Sequence, residues 1–219
     1  MLAAGATGLV AAYLIGSGAF LAAALLLQLK TVLDNADGQL ARATGRVTAF
    51  GRYLDSESDL FVDAALFAGI GWATGRWVLA AFGFASLTLV LGVNYNAERL
   101  YRRERGEPAE AMPAATGPAA ALARIYALVY APQDRLVERF VERRLDGRTP
   151  DARLAYHDRA TLTILANFGL STQLAVLGVC LAAGAPAAYA WAAVACAIAL
   201  VPLAIRRELL LRRHTENGR

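Results

Sequence analysis

Four aspartates are arranged in two pairs whose spacing suits an α-helix. Asp34 and Asp37 lie three positions apart, and Asp55 and Asp59 lie four positions apart. On a helix, both spacings place the two side chains of a pair on one face. Residues 43–52 are too few for more than a short turn, so the two helices should be antiparallel neighbours. We therefore expect the four carboxylates to face one another.

The sequence around these pairs is apolar, which makes a cluster of acids costly. A carboxylate in a membrane helix costs about 2.5–3.5 kcal/mol on insertion scales, and neighbouring carboxylates repel one another. Divalent cations remove both problems, and sites built only from oxygen ligands favour hard ions such as Mg²⁺ or Mn²⁺. We predict that the four aspartates bind such ions, two rather than one. The alternative is that they only pair with Arg42, Arg46 and Arg52 at the membrane edge.

Small residues on the same helix faces leave room for a ligand. Gly38 and Ala41 continue the stripe of the first pair, and Gly51 begins the stripe of the second. Metal ions, carboxylates and nearby arginines are together typical of phosphoryl transfer. In that chemistry the metal neutralises charge on the phosphates, and a base takes the proton of the attacking hydroxyl group.

The elements that position these residues are predicted to be membrane helices. Hydrophobic residues make up 57% of the 219 residues, whereas about 45–50% is usual for a soluble domain. The excess lies in long runs at 2–29, 60–91 and 162–205. Since about 20 apolar residues cross a bilayer, we predict an all-α integral membrane protein rather than a soluble helical one. The predicted bundle has six transmembrane helices, near residues 2–15, 19–42, 54–73, 77–102, 160–183 and 187–210.

The arginines predict the orientation of this bundle. Basic residues cluster at 42–52, 99–159 and 206–219, whereas the opposite side carries only Arg76. The positive-inside rule then places the aspartates and both chain ends on the cytosolic side of the cytoplasmic membrane. The first helix would span only about 21 Å, so we expect the sequence to begin downstream of the true start.

Residues 104–158 form a polar insertion between the fourth and fifth helices of a single domain, 1–219. Three prolines indicate that it begins irregularly: Pro108, Pro113 and Pro118. Two cytosolic or interfacial helices are predicted after them, 119–130 and 133–145, separated by Pro132. The second is basic and amphipathic, which suits either a surface of anionic lipid or packing against the rest of the protein.

Two weaker predictions concern charged residues near the aspartates. Four arginines lie at the cytosolic helix ends and could bind an anionic acceptor, because guanidinium groups grip phosphate, or could only contact lipid headgroups: Arg99, Arg103, Arg159 and Arg206. Lys30 lies one turn deeper than Asp34, and Asp63 lies one turn deeper than Asp59. Because the helices are antiparallel, we predict a Lys30–Asp63 ion pair beneath the metal site.

The motif as a whole resembles the signature of a known family, the CDP-alcohol phosphotransferases (CDP-alcohol phosphatidyltransferases). The matching pattern is Asp34-x2-Asp37-Gly38-x2-Ala41-Arg42-x8-Gly51-x3-Asp55-x3-Asp59. The resemblance implies six transmembrane helices, a cytosolic active site and a homodimer. It also implies transfer of a substituted phosphate from a CDP-linked donor, often CDP-diacylglycerol, to an alcohol, with release of CMP.

The resemblance also suggests a role for each matched residue. Asp34, Asp37 and Asp55 resemble the metal ligands of the family. Asp59 resembles the base that activates the acceptor hydroxyl and also contacts a metal. The positions that resemble the CDP-binding elements are Asp34, Asp37, Gly38, Ala41, Arg42 and Gly51.

The sequence leaves the acceptor open among glycerol phosphate, inositol phosphate, inositol and serine. The nearby arginines favour a phosphorylated polyol, as part of phospholipid biosynthesis. One alternative is transfer from CDP-choline or CDP-ethanolamine to diacylglycerol; others are a cation transporter or channel and an inert scaffold. Release of CMP that needs both metal and the aspartates would distinguish them. We expect membrane lipids, but no nucleic acid, as partners.

Overall fold

The computed structural model describes residues 1–45, 48–107, 116–117 and 119–217, and every regular element within these ranges is an α-helix. The helices of the described residues are α1 (Leu2–Gly16), α2 (Phe20–Ala43), α3 (Ala49–Thr74), α4 (Trp77–Glu104), α5 (Ala119–Leu145), α6 (Pro150–Tyr156), α7 (Arg159–Ala166), α8 (Leu170–Ala182) and α9 (Pro186–Asn217). The prediction of an all-α protein is therefore confirmed.

Three stretches of the described chain are long and apolar enough to cross a membrane. They are Trp77–Glu104, Pro150–Ala182, which contains α6 to α8, and Pro186–His214. Helix α1 is apolar but has only 15 residues, about 22 Å at 1.5 Å per residue. Helices α2 and α3 carry the aspartates among their apolar residues. Length and composition thus support a membrane protein, and the number of six crossings stays a prediction.

Close packing of α1 fixes the two helices that carry the motif. Helix α1 packs against both α2 and α3, and α3 also packs against α4. A Cβ atom at Gly69 of α3 would lie 2.5 Å from the backbone oxygen of Ala12 in α1, so the two backbones meet directly. Ile15, Leu27 and Leu66 fill the core around this contact. The small residues therefore set the distance between α1 and α3.

The turn between α2 and α3 brings the two aspartate pairs together. Gly45 has a φ of +65°, a left-handed conformation that glycine adopts without strain. Thr48 then caps α3, because its hydroxyl oxygen accepts a hydrogen bond from the Gly51 amide at 3.0 Å. Arg46 and Val47 lie outside the described residues. Both motif helices pack closely on α1 rather than on each other, and their antiparallel pairing stays a prediction.

The prediction of two separate helices around Pro132 was wrong. Helix α5 runs without interruption from Ala119 to Leu145 with Pro132 in its interior. The Tyr126 hydroxyl donates a hydrogen bond to Asp134 at 2.5 Å, which joins the two sides of the proline. Packing against α3 and α4 supports the helix along its length. The prolines at 108, 113 and 118 lie outside the described residues.

The predicted fifth membrane helix, 160–183, is not continuous. It is divided into α7, which ends at Ala166, and α8, which begins at Leu170. The Asn167 side chain donates to the Thr163 backbone oxygen at 2.7 Å, and Gly169 takes an extended conformation at the start of α8. Asparagine and glycine both favour such a break over a helix interior.

The insertion packs against the helix bundle. Val141 and Leu145 of α5 form a small apolar cluster with Tyr156 and with Leu211 of α9. Packing on the protein therefore accounts for part of the amphipathic face, whereas Leu136 and Phe140 of the same helix are exposed. Other apolar side chains of α5, including Leu128, remain exposed.

Candidate active site

Three of the four motif aspartates are close enough to interact electrostatically. Asp55 is within range of both Asp34 and Asp59, and Asp59 is within range of Asp34. Asp34 projects from the second half of α2, whereas the other two project from the first half of α3. The helical spacing predicted this proximity. It concentrates negative charge where α2 and α3 meet.

Asp59 is held by a lysine from the facing helix. Lys30 of α2, only 2% exposed, donates a hydrogen bond from Nζ to Oδ1 of Asp59 at 2.7 Å. The prediction that Lys30 pairs with Asp63 was therefore wrong, although Asp63 is buried within electrostatic range of both residues. The flexible four-carbon stem of lysine can reach a carboxylate one helical turn away. The matched depth of Lys30 and Asp63 in the membrane therefore does not determine which acid Lys30 binds.

Asp37 is contacted by the first residue of the chain. The amino group of Met1 forms an ion pair with Oδ2 of Asp37. The Met1 side chain also lies next to Gly51, because a Cβ atom there would be 3.7 Å from the methionine methyl group. Asp55 is within electrostatic range of the same amino group. Lys30 thus offsets part of the charge of the aspartates.

The aspartates fit a divalent metal ion by their chemistry. Their donors are all carboxylate oxygens, the type that Mg²⁺ and Mn²⁺ prefer. Among the described residues, however, no three His, Cys, Asp or Glu side chains are placed closely enough to hold one ion. Two of the carboxylates instead bind the cations Lys30 and Met1. The donor set suits a metal, whereas the side-chain positions do not form a complete coordination shell.

A polar pocket lies beside the motif at the end of α2. It has a volume of about 360 Å³ and is lined by Arg42, Tyr95, Glu98, Arg99 and Arg102. Arg102 pairs with Glu98 at 2.7 Å, so the pocket keeps an excess of positive charge. This charge suits an anionic group such as a diphosphate.

The small motif residues leave space around Arg42. A Cβ atom at Gly38 would lie 3.4 Å from Nη1 of Arg42, whose side chain folds back along α2. Ala41 is half-buried one position before this arginine. A larger side chain at position 38 would compete with the guanidinium group for space.

The four arginines predicted to bind the acceptor lie in different surroundings. Arg99 donates to Glu138 at 3.3 Å, and Arg103 donates to Glu138 at 2.7 Å and to Glu142 at 3.4 Å. These carboxylates belong to α5. Arg206 of α9 instead pairs with Asp158 at 2.7 Å and also contacts Thr161, and Arg159 is exposed at the start of α7.

A second pocket, not predicted from the sequence, lies next to Asp59. It has a volume of about 320 Å³ and is formed mainly by α3, α4 and α5. Its polar groups include Asp59, Asp63, Tyr95, Tyr126, Tyr130 and Asp134. Positions 126, 130 and 134 are four apart, so their shared helix face was a signal that the sequence did contain. Burial, and then the hydrogen bond to Asp134, raises the pKa of Tyr126 well above its usual value, so its hydroxyl stays protonated.

Comparisons with known proteins match the part of the chain that carries the aspartates. The family model described as CDP-alcohol phosphatidyltransferase matches residues 1–141, which include α1 to α4 and most of α5. A bifunctional IPC transferase and DIPP synthase of Aquifex aeolicus is 40% identical over 81 residues, 34% of this chain and 18% of that protein.

Two further relatives match shorter segments. A phosphatidylinositol phosphate synthase of Mycobacteroides abscessus is 45% identical over 60 residues, 27% of this chain and 24% of that protein. An archaetidylinositol phosphate synthase of Pyrococcus horikoshii is 48% identical over 48 residues, 22% of this chain and 26% of that protein. The matches thus span about a fifth to a quarter of the relatives' lengths. No solved structure gives a significant match.

The family model covers more than half of the chain, and its range contains the whole aspartate motif. The chain therefore belongs to the CDP-alcohol phosphatidyltransferase family, whose members are transferases of substituted phosphate groups.

Proposed function

We propose that this protein transfers a phosphatidyl group from a CDP-alcohol, CDP-diacylglycerol in the first instance, to a hydroxyl of a small polar acceptor. CMP is the second product, and the reaction needs Mg²⁺ or Mn²⁺. The observation that carries the proposal is the proximity of Asp34, Asp55 and Asp59 across two helices, in a chain of this family. The names of the relatives, which include phospholipid synthases, support it.

In the proposed reaction, the acceptor oxygen attacks the phosphorus that bears the lipid. The bond from that phosphorus to CMP breaks, and CMP leaves with the electron pair. Asp59 accepts the proton of the acceptor hydroxyl. Because Lys30 binds Oδ1 of Asp59, we assign the proton to Oδ2. Two divalent ions bound by Asp34, Asp37, Asp55 and Asp59 would neutralise charge on the diphosphate.

The donor is proposed to lie between the motif and the polar pocket. Arg42, Arg99 and Arg102 line that pocket and could contact the diphosphate. The small side chains of Gly38, Ala41 and Gly51 would let the CDP moiety approach the aspartates. This assignment places the donor next to the tyrosine-lined pocket beside Asp59, with Tyr95 lining both pockets.

The same proposal includes a membrane arrangement. Helices α1 to α4, the α7–α8 pair and α9 are the six proposed crossings of a single domain in the cytoplasmic membrane. The arginine clusters support a cytosolic position for the aspartates, and residues 104–158 would then lie on that side. A homodimer is proposed from the family alone.

The experiment is a CMP-release assay with the purified full-length protein, CDP-diacylglycerol, Mg²⁺ or Mn²⁺, and a panel of alcohols. Asp59→Asn should abolish release, and EDTA should do the same. Asp151→Asn, at an exposed aspartate of α6, is the matched control and should retain activity.

Two outcomes would count against the proposal. Release that survives Asp59→Asn would remove the assigned base. Absence of release with every acceptor, and with CDP-choline or CDP-ethanolamine plus diacylglycerol, would favour a non-enzymatic cation transporter or channel.

A further inference from the structure

The pocket beside Asp59 differs in charge from the polar pocket beside Arg42. Its described lining includes three carboxylates and three tyrosines but no arginine or lysine: Asp59, Asp63, Asp134, Tyr95, Tyr126 and Tyr130. Lys30, which pairs with Asp59, is not among the lining residues. Its volume of about 320 Å³ is at the lower end of the range for small-molecule sites. The pocket is therefore small, acidic and rich in hydroxyl groups.

Helix α5 supplies half of these side chains and holds them in fixed positions. Asp134 accepts hydrogen bonds from Nδ2 of Asn96 at 2.6 Å and from the hydroxyl of Tyr126 at 2.5 Å. Asn96 is fully buried and also donates to the Gly92 backbone oxygen. The rings of Tyr126 and Tyr130 are 5.5 Å apart. Both oxygens of Asp134 are thus hydrogen-bonded by neutral donors.

The same helix also binds two arginines of α4. Glu138 and Glu142, one and two turns beyond Asp134, accept the hydrogen bonds of Arg99 and Arg103. These were two of the residues that favoured a phosphorylated acceptor in the sequence. Helix α5 therefore supplies acids to the pocket and neutralises cations next to it.

Charge in the pocket opposes a phosphate. The positive charge of divalent ions at the motif would be balanced by the motif aspartates and by the donor's diphosphate. The far end of the pocket would then be governed by Asp134, whose carboxylate repels an anion. Tyrosine hydroxyls can donate hydrogen bonds to an uncharged polyol, and carboxylates can accept them from it. Tyrosine rings also attract an ammonium group.

We propose that this pocket, completed by Tyr126, Tyr130 and Asp134 of α5, binds the acceptor, and that the acceptor is a hydroxyl compound without a phosphate group. The inference rests on the proposed function and specifies its substrate class. It also gives the insertion at residues 104–158 a role: α5 determines which alcohol reaches Asp59.

The test compares acceptors that share a carbon skeleton and differ in one phosphate. CMP release is measured with glycerol against glycerol 3-phosphate, and with inositol against inositol 1-phosphate, using saturating CDP-diacylglycerol. The wild-type protein should have the higher kcat/KM for the unphosphorylated member of each productive pair. Asp134→Asn should raise KM for that acceptor about tenfold, the effect of losing one charged hydrogen-bonding group, and should leave the donor KM unchanged.

Two further variants keep the test decisive. Tyr130→Phe removes one hydroxyl from the pocket while keeping the ring, so it tests the same site if Asp134→Asn does not fold. Asp146→Asn, at an exposed aspartate just after α5, should leave both acceptor and donor constants unchanged. Asp134→Asn should also reduce the preference for the unphosphorylated acceptor, since it removes a repulsive charge.

The outcomes separate this inference from the proposed function. Metal-dependent CMP release that favours the phosphorylated acceptors, or acceptor constants unaffected by both pocket variants, would overturn the inference and leave the transferase activity intact. Absence of CMP release with every acceptor and donor would overturn both.

Discussion

Nζ of Lys30 in α2 lies 2.7 Å from Oδ1 of Asp59 in α3, so a buried ammonium group joins the two helices that carry the motif. The pair places a cation directly behind the proposed base. It also fixes one oxygen of the Asp59 carboxylate and thereby orients the other.

Lys30→Met should leave Asp59 without its buried partner. Loss of one member of such a pair typically destabilises a protein by about 3–5 kcal/mol, and the loosened carboxylate should also lower kcat. Thermal melting in detergent and CMP release measure the two effects. In a double-mutant cycle, the effect of Lys30→Met should depend strongly on Asp59→Asn and weakly on Asp63→Asn. The reverse order would contradict the observed pairing.

Gly69→Ala should destabilise the contact between α1 and α3. The new Cβ atom would lie 2.5 Å from the Ala12 backbone oxygen, and overpacking of this kind costs about 1–3 kcal/mol. Gly16→Ala is the matched control, because its Cβ atom would have no neighbour closer than 3.9 Å. Melting in detergent should separate the two variants, and equal melting temperatures would show that the helices are not in direct backbone contact.

Gly38→Leu should weaken donor binding through Arg42. The longer side chain would take the space in which the guanidinium group lies, 3.4 Å from the position of a Cβ atom. We expect the KM for CDP-diacylglycerol to rise about tenfold, as for loss of one charged hydrogen bond. Gly38→Ala makes only an ordinary contact and should change little. A rise confined to the acceptor KM would contradict the role given to Arg42.

Asp55→Asn should weaken metal binding independently of catalysis. Asp55 lies within electrostatic range of Asp34 and Asp59, and a neutral amide is a poorer ligand for a hard divalent ion than a carboxylate. Mn²⁺ titration followed by electron paramagnetic resonance should show at least a tenfold weaker affinity, about 1.4 kcal/mol. Asp146→Asn should bind Mn²⁺ as the wild type does. Equal affinity for Asp55→Asn would place the ion elsewhere.

The sequence predicted the features that depend on local spacing. Asp34, Asp55 and Asp59 could be placed together because helical periodicity determines which side chains share a face, and a short turn forces the two helices to be neighbours. The all-α fold followed from the long apolar runs. These inferences need no knowledge of how distant segments pack.

The features that the sequence did not predict depend on tertiary contacts. Pro132 favours a helix boundary because proline lacks a backbone N–H donor. The Tyr126–Asp134 hydrogen bond and packing against α3 and α4 nevertheless keep α5 continuous. The partner of Lys30 was predicted wrongly because its flexible side chain can reach either Asp59 or Asp63, which lie one turn apart. The pocket beside Asp59 could not be predicted, because it depends on where α5 packs and no local sequence pattern specifies that position.

The continuity of α5 through Pro132 couples two regions that the sequence had separated. Tyr126 and Asp134 in the pocket belong to the same continuous helix as Glu138 and Glu142, which form ion pairs with arginines of α4. A shift of α5 would therefore alter the pocket and the arginine contacts at the same time. If the two pockets bind acceptor and donor as we propose, acceptor binding and the charge presented to the donor are coupled through one helix.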